Sequence, residues 1–117
     1  MRQFLIRRSR PAGGRSWQFR IEDILNSLEK IERYVTGMGY AEFVADEKTI
    51  DAVERNLKII GEAATNLPEQ MVERYPQVPW HRMRGLRNIL AHEYFGVDLS
   101  IIWQTTQEDL PTWLREI

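Results

Sequence analysis

Trp80-His81-Arg82-Met83-Arg84-Gly85-Leu86-Arg87-Asn88-Ile89-Leu90-Ala91-His92-Glu93-Tyr94-Phe95 is the stretch whose reading decides the fold. Met83, Leu86, Leu90 and Tyr94 recur at three- and four-residue spacing, which predicts one helix over 80–95 with an apolar stripe turned to a core. Arg87 falls on or at the edge of that stripe. Asn88 and His92, four apart, lie on a neighbouring face with Arg84 and Gly85. An arginine, an amide, an imidazole and a phenol thus interrupt, within about two turns, a helix that otherwise reads as core. A basic and a titratable group beside a glycine on a rigid helix suit a phosphate. The competing reading is a packing helix whose histidine is satisfied and whose arginine snorkels to water.

The flanking chain repeats the helical pattern. Pro79 favours the first turn of the 80–95 helix and Gly96 ends it. Before it, Pro68 to Tyr75 reads as a short amphipathic helix closed by Pro76. Asp46 caps a longer helix running to about Asn66, with Ile50, Val53, Leu57, Ile60 and Ala64 inward. Asp51, Glu54 and Arg55 are assigned to its solvated side. Gly61-Glu62-Ala63-Ala64 is a patch of small residues that permits close helix approach; its Glu62 is expected to face solvent or, second, an arginine of the motif helix. Tyr40 to Ala45 is a helical turn that docks Phe43. From Trp17, Ile21, Ile24, Leu25, Leu28, Ile31 and Val35 form the first long stripe, capped by Ser16 and stopped by Gly37 and Gly39. After the motif, Asp98 caps a helix from Leu99 to about Glu108 with Ile101, Ile102 and Trp103 inward. Pro111 then opens a last short helix with Trp113, Leu114 and Ile117. With no strand-like alternation, the expectation is an all-α, up-and-down bundle of about four main helices plus short ones.

Composition bounds what such a bundle does. At 117 residues and 43% hydrophobic it is one domain with one core. No apolar run approaches the ~20 residues of a membrane span, and Met1 to Ile6 is too short for a signal peptide. Absence of cysteine removes disulfides, thiolate metal sites and cysteine nucleophiles, and suits a cytoplasmic location. Residues 1–15 hold Arg2, Arg7, Arg8, Arg10 and Arg15 without an acid, so against a chain net of −1 the remainder carries −6. Pro11-Ala12-Gly13-Gly14 breaks this basic arm from a domain over 16–117. The arm adds phosphate affinity or is extraneous to the fold. An acidic body confines any RNA contact to a cleft with its own arginines.

Chemistry narrows next. His81 and His92 are ~16 Å apart along one helix and cannot hold one ion together. There is no HExxH, CxxC, GxGxxG or P-loop, so no metal and no cofactor are expected. His92 lies five residues after Arg87, about 140° round an ideal helix. The two meet at one phosphate only through a kinked or fraying helix, a long reach, or a second copy of the helix. Two-fold symmetry supplies the last simply, and Gly85 would let two motif helices, or a substrate, come close. The pair fits RNA cleavage, in which the ribose 2′-hydroxyl is the nucleophile. His92 would move the proton and Arg87 would meet charge building on phosphorus. Asn88 would orient the imidazole or, with Arg84, bind substrate.

At these residues the chain resembles a known family. Arg87-Asn88-x-x-x-His92 is similar to the arginine–polar–spacer–histidine signature of HEPN domains, and Arg87-x4-His92-x-Tyr94 to that of their HepT toxin branch. Phe19-Arg20-Ile21-Glu22-Asp23-Ile24-Leu25, Ile59-Ile60-Gly61-Glu62-Ala63-Ala64, and Pro79-Trp80-His81 through Phe95-Gly96-Val97-Asp98 read the same way, over roughly residues 16–117. The resemblance implies the toxin of a type II toxin–antitoxin system, a homodimeric, metal-independent endoribonuclease. Its composite cleft would hold Arg87 and His92 of both protomers and leave a 2′,3′-cyclic phosphate. It further implies a minimal nucleotidyltransferase antitoxin that attaches AMP to Tyr94. The alternative is a non-catalytic HEPN module that binds a nucleotide or a partner; the intact Arg87–Asn88–His92 set favours the enzyme.

Overall fold

Helices α1 (Trp17–Val35) and α3 (Glu47–Thr65) carry the two longest apolar stripes and bury them against each other. The computed structural model describes residues 17–93 and 99–117, without the side chains of His92 and Glu93. The basic arm, the Ser16 and Asp98 caps, Tyr94, Phe95 and Gly96 lie outside the described residues. Every side chain assigned to the first stripe is buried, as are Ile50, Val53, Leu57, Ile60 and Ala64 on α3. Each large aliphatic among them gains about 1.5–3 kcal/mol on leaving water. This pairing is the platform on which the rest is laid.

Local chemistry sets the helix ends. At Gly37 the backbone takes φ +81°, the left-handed conformation that glycine adopts without a steric penalty, and α1 stops there. Helix α2 (Tyr40–Val44) starts where Glu42 Oε1 accepts from the Gly39 N–H at 2.8 Å. Its Phe43 is fully buried, 5.1 Å from the Trp103 ring. At the start of α3, the Asp46 carboxylate accepts from the Thr49 N–H at 3.1 Å and the Thr49 hydroxyl at 2.7 Å. Those two bonds, the hydroxyl's first, hold the Asp46 carboxyl below its ordinary value. Helix α4 (Glu69–Arg74) is the short amphipathic helix expected between Pro68 and Pro76.

The 80–95 helix differs from its expectation. It is two pieces, α5 (Trp80–Arg84) and α6 (Leu86–Glu93), separated at Gly85. The Asn88 N–H donates to the Gly85 carbonyl at 3.0 Å, a tight three-residue turn in place of the four-residue ladder. A Cβ at Gly85 would stand 3.3 Å from the Arg82 carbonyl of its own preceding turn, so this glycine relieves crowding at the local break. Trp80 Nε1 donates to the Tyr75 carbonyl at 3.0 Å and anchors the start of α5.

The C-terminal segment also departs from expectation. In place of two helices parted at Pro111, α7 (Leu99–Gln104), a π-helical turn (Thr105–Asp109) and α8 (Leu110–Glu116) run on without a gap. The Leu110 N–H donates to the carbonyl of Thr105, five residues back. This widened turn makes room for the Pro111 ring, which in a regular α-helix collides with the carbonyl four residues before it. Thr106 Oγ1 donates to the Trp103 carbonyl at 2.7 Å, satisfying an acceptor near the disturbed ladder. Ile101, expected inward, is exposed, whereas Ile102 is buried and Trp103 half-buried. Trp113, Leu114 and Ile117 are buried as expected.

Among the described residues the result is all-α, with no strand. Its four long segments are α1, α3, the broken α5–α6 and the α7–α8 run, with α2 and α4 as short connectors. No helix among the described residues is long and apolar enough to cross a membrane.

Candidate functional site

The α5–α6 segment is pressed against the C-terminal half of α3, and Gly61 makes that approach possible. A Cβ at Gly61 would lie 3.0 Å from Arg87 Cγ and 3.5 Å from the Arg87 nitrogen. The stem of the motif arginine therefore crosses α3 at the one residue with no side chain to obstruct it. One position on, Glu62 places Oε1 3.7 Å from Arg87 Nε. Glu62 thus meets both expectations at once: its side chain is 49% exposed and it faces the motif arginine. The close helix approach expected of residues 61–64 is present.

Arg84 is tied to the same end of α3. Its Nε donates to the Ala64 carbonyl at 2.9 Å, in the last turn of α3, where the same oxygen also accepts from the Leu67 N–H at 3.4 Å. Its Nη1 donates to Glu69 Oε1 of α4 at 3.2 Å. Arg82 turns the other way, pairing with Asp109 at 2.8 Å and lying 5.9 Å over the Trp113 ring. Arg84 therefore pins α5 to α3 and α4, Arg82 pins it to the C-terminal run, and Arg87 opens the next segment from a fixed base.

Burial corrects the picture of a core helix interrupted by polar groups. Met83 and Leu86 are buried, but Leu90 is only half-buried, and Arg87, Asn88 and Ala91 are exposed. The Arg87 side chain retains 51% of its accessible surface. Its stem packs on α3 while its guanidinium stays half in water, as a snorkelling arginine's does, and it lies along a groove at the surface. That groove, about 600 Å³, is lined by Arg87 and Leu90 on α6 and by Asp51, Glu54, Arg55, Lys58 and Glu62 on α3. Among its described lining residues, three are acids and three are bases.

The sequence reading assigns Asp51, Glu54 and Arg55 to solvent, gives Glu62 a second option of facing the motif arginine, and leaves Lys58 without a role. Asp51, Arg55, Lys58 and Glu62 are spaced by four, three and four residues, the polar counterpart of the buried stripe, and that periodicity was the available signal. A second groove of about 320 Å³ shares Arg55, Lys58 and Glu62 and extends to Arg20 and Asp23 on α1. Among the described residues no group of three or more His, Asp or Glu is placed to hold a metal ion.

Arg87 and His92 occupy one unbroken helical segment, since the break at Gly85 precedes both. The two positions therefore keep the ~140° divergence of a regular helix. A kink between them is removed as a way to bring them to one phosphate. The His92 side chain and Tyr94 lie outside the described residues, so no distance joins them to Arg87 or Asn88.

A family model described as ribonuclease HepT-like matches residues 24–117, which include every residue of this groove and the whole α5–α6 segment. The chain belongs to the ribonuclease HepT-like family. Curated relatives agree with that placement. A Methanocaldococcus jannaschii protein provisionally named an RNase is 44% identical over 95 residues, covering 81% of this chain and 78% of its own. A Thermococcus cleftensis protein, provisionally named ribonuclease HepT, is 41% identical over 98 residues, 84% of this chain and 89% of that one. A Caldanaerobacter subterraneus relative, again provisionally an RNase, is 39% identical over 97 residues, 83% and 87% of the two chains. No solved structure matches the chain. Membership makes this HepT-like chain an endoribonuclease, with RNA as its substrate class.

Proposed function

We propose that this HepT-like protein is the toxin of a type II toxin–antitoxin pair, a metal-independent endoribonuclease acting as a homodimer. The observation that carries the reading is the placement of Arg87 on an exposed groove wall, ahead of His92 on one regular helix. A fully buried arginine would have no such access. With a kink gone, a second copy of the helix is the simplest means of bringing a histidine to an arginine. The exposed strip of Arg87, Asn88 and Ala91 is the surface such a copy would cover.

In this reading the RNA supplies the nucleophile. His92 accepts the 2′-hydroxyl proton as the oxygen attacks phosphorus, and an imidazole returns a proton to the departing 5′-oxygen. The ends are a 2′,3′-cyclic phosphate and a 5′-hydroxyl. Arg87 donates to the non-bridging oxygens, on which charge grows in the transition state. Asn88, one turn before His92, orients the imidazole or the substrate. Arg84 has two of its nitrogens on Ala64 and Glu69, and its contribution to substrate binding falls to the remaining one. Tyr94 is the residue to which a nucleotidyltransferase antitoxin attaches AMP, placing bulk and negative charge beside a phosphate site and so repelling RNA.

One experiment covers these assignments. Purified protein is incubated with RNA in excess chelator, and the ends are mapped. Wild type cuts and leaves cyclic phosphate. His92→Ala keeps its circular dichroism spectrum and loses cleavage, and Arg87→Ala slows it by roughly two to three powers of ten. Prior treatment with a cognate nucleotidyltransferase and ATP stops cleavage and adds one AMP mass at Tyr94. Full activity in His92→Ala, or AMP on another residue, removes the corresponding role.

A further inference from the structure

We propose that Glu62 is a positioning residue for Arg87, fixing which edge of the guanidinium the groove presents to phosphate; the inference rests on the ribonuclease reading above. Two contacts from adjacent residues of α3 define the arginine. Its stem is seated at Gly61, where even a methyl group would come within 3.0 Å of Cγ. Its Nε edge faces Glu62 Oε1 at 3.7 Å, an ion-pair separation that is long for a direct hydrogen bond. With the stem seated and the Nε side drawn to a carboxylate, the end-on edge formed by the two terminal nitrogens is left outside this contact. They are the pair that grips two oxygens of one phosphate.

The same carboxylate opposes RNA in a simpler way. It is one of three acids among the described residues of the groove, and a negative charge beside Arg87 weakens its attraction for any polyanion. Orientation and attraction therefore make opposite demands on Glu62. If Glu62 is only a solvated acid, its neutralisation strengthens RNA binding and leaves turnover equal or faster. If Glu62 positions Arg87, neutralisation strengthens binding yet slows the chemical step, because the guanidinium is no longer held where charge develops.

The test is single-turnover cleavage by Glu62→Gln and by the Glu62→Gln/Arg87→Ala pair, with binding measured on RNA carrying a 2′-deoxy substitution at the cut. Glu62→Gln is expected to bind this uncleavable RNA at least as tightly as wild type. Its cleavage step should be about tenfold to a hundredfold slower. Added to Arg87→Ala, the same change should cost nothing further, because the residue through which it acts is gone. Both chains should melt within a degree or two of their parents, since the Glu62 side chain is half exposed. An unchanged or faster step in Glu62→Gln overturns the role, and so does an equal loss in the Arg87→Ala background. Wild type that leaves every RNA intact overturns the ribonuclease reading itself, an outcome distinct from both.

Discussion

Asp46 shows how much a single side chain decides at the start of α3. Its carboxylate receives the Thr49 hydroxyl and N–H, and both bonds favour the charged form, so its carboxyl lies below the ordinary 3.8. A depressed native value means that protonation is harder in the folded chain than in the unfolded one. The stabilisation is therefore complete above the unfolded value, about pH 4, and is lost as pH falls through the lower native value. Asp46→Ala should lower the melting temperature by a few degrees near pH 7, and the gap from wild type should close on acidification below about pH 4. Asp46→Asn, which caps without titrating, should keep most of the neutral-pH stability. Melting curves by circular dichroism across pH 3–7 measure both. A gap that stays constant over the range would mean that the Thr49 bonds do not depend on ionisation. This cap was legible because its chemistry is local: an aspartate three residues before a threonine needs no tertiary partner to be read. Arg87 was less legible, because periodicity placed it at the edge of a stripe and only the packing of α3 decides that the edge is a groove.

Helix existence was legible at the scale of elements, and helix continuity was not. The apolar stripes of α1 and α3 matched their expectations because burial on one face repeats at the helical period. The break at Gly85 leaves no such trace, since Met83 and Leu86 are three apart in a continuous helix and in a broken one alike. Pro111 misled in the opposite sense: read as a start signal, it parts two helices, yet the π-helical turn at Thr105–Asp109 absorbs it. Hydrogen-bond register, which hydrophobic spacing does not encode, decides both cases. The seat at Gly61 is an element-scale feature with a testable consequence. Alanine there is a better helix former by about 1 kcal/mol, but its Cβ would press on Arg87 Cγ at 3.0 Å. The Arg87 side chain is half exposed and has room to turn, so relief costs little stability and displaces the guanidinium from Glu62. Gly61→Ala should therefore melt within a few degrees of wild type while cleaving RNA at least about tenfold more slowly. Higher stability with undiminished cleavage would show that the arginine stem does not depend on this seat.

On the scale of the whole molecule, the question is how two groups that diverge on one rod serve one phosphate. Arg87 faces the α3 groove, and position 92 lies about 140° away on the same unbroken segment. If a symmetric pair of chains forms the catalytic unit, the arginine of one protomer and the histidine of the other can stand on opposite walls of one cleft. Separately tagged Arg87→Ala and His92→Ala chains, co-expressed and purified through both tags, then give heterodimers that retain one Arg87 on one protomer and one His92 on the other. Each parental homodimer lacks one of the two groups entirely. The heterodimer should cleave RNA at least about tenfold faster than either parent, since an arginine alone accounts for roughly two to three powers of ten. Catalysis within a single chain gives the opposite result, because neither chain of the heterodimer holds both groups and its rate cannot exceed the better parent's. Sedimentation of the wild type as a monomer at assay concentration, with cleavage intact, would likewise place both groups within one chain.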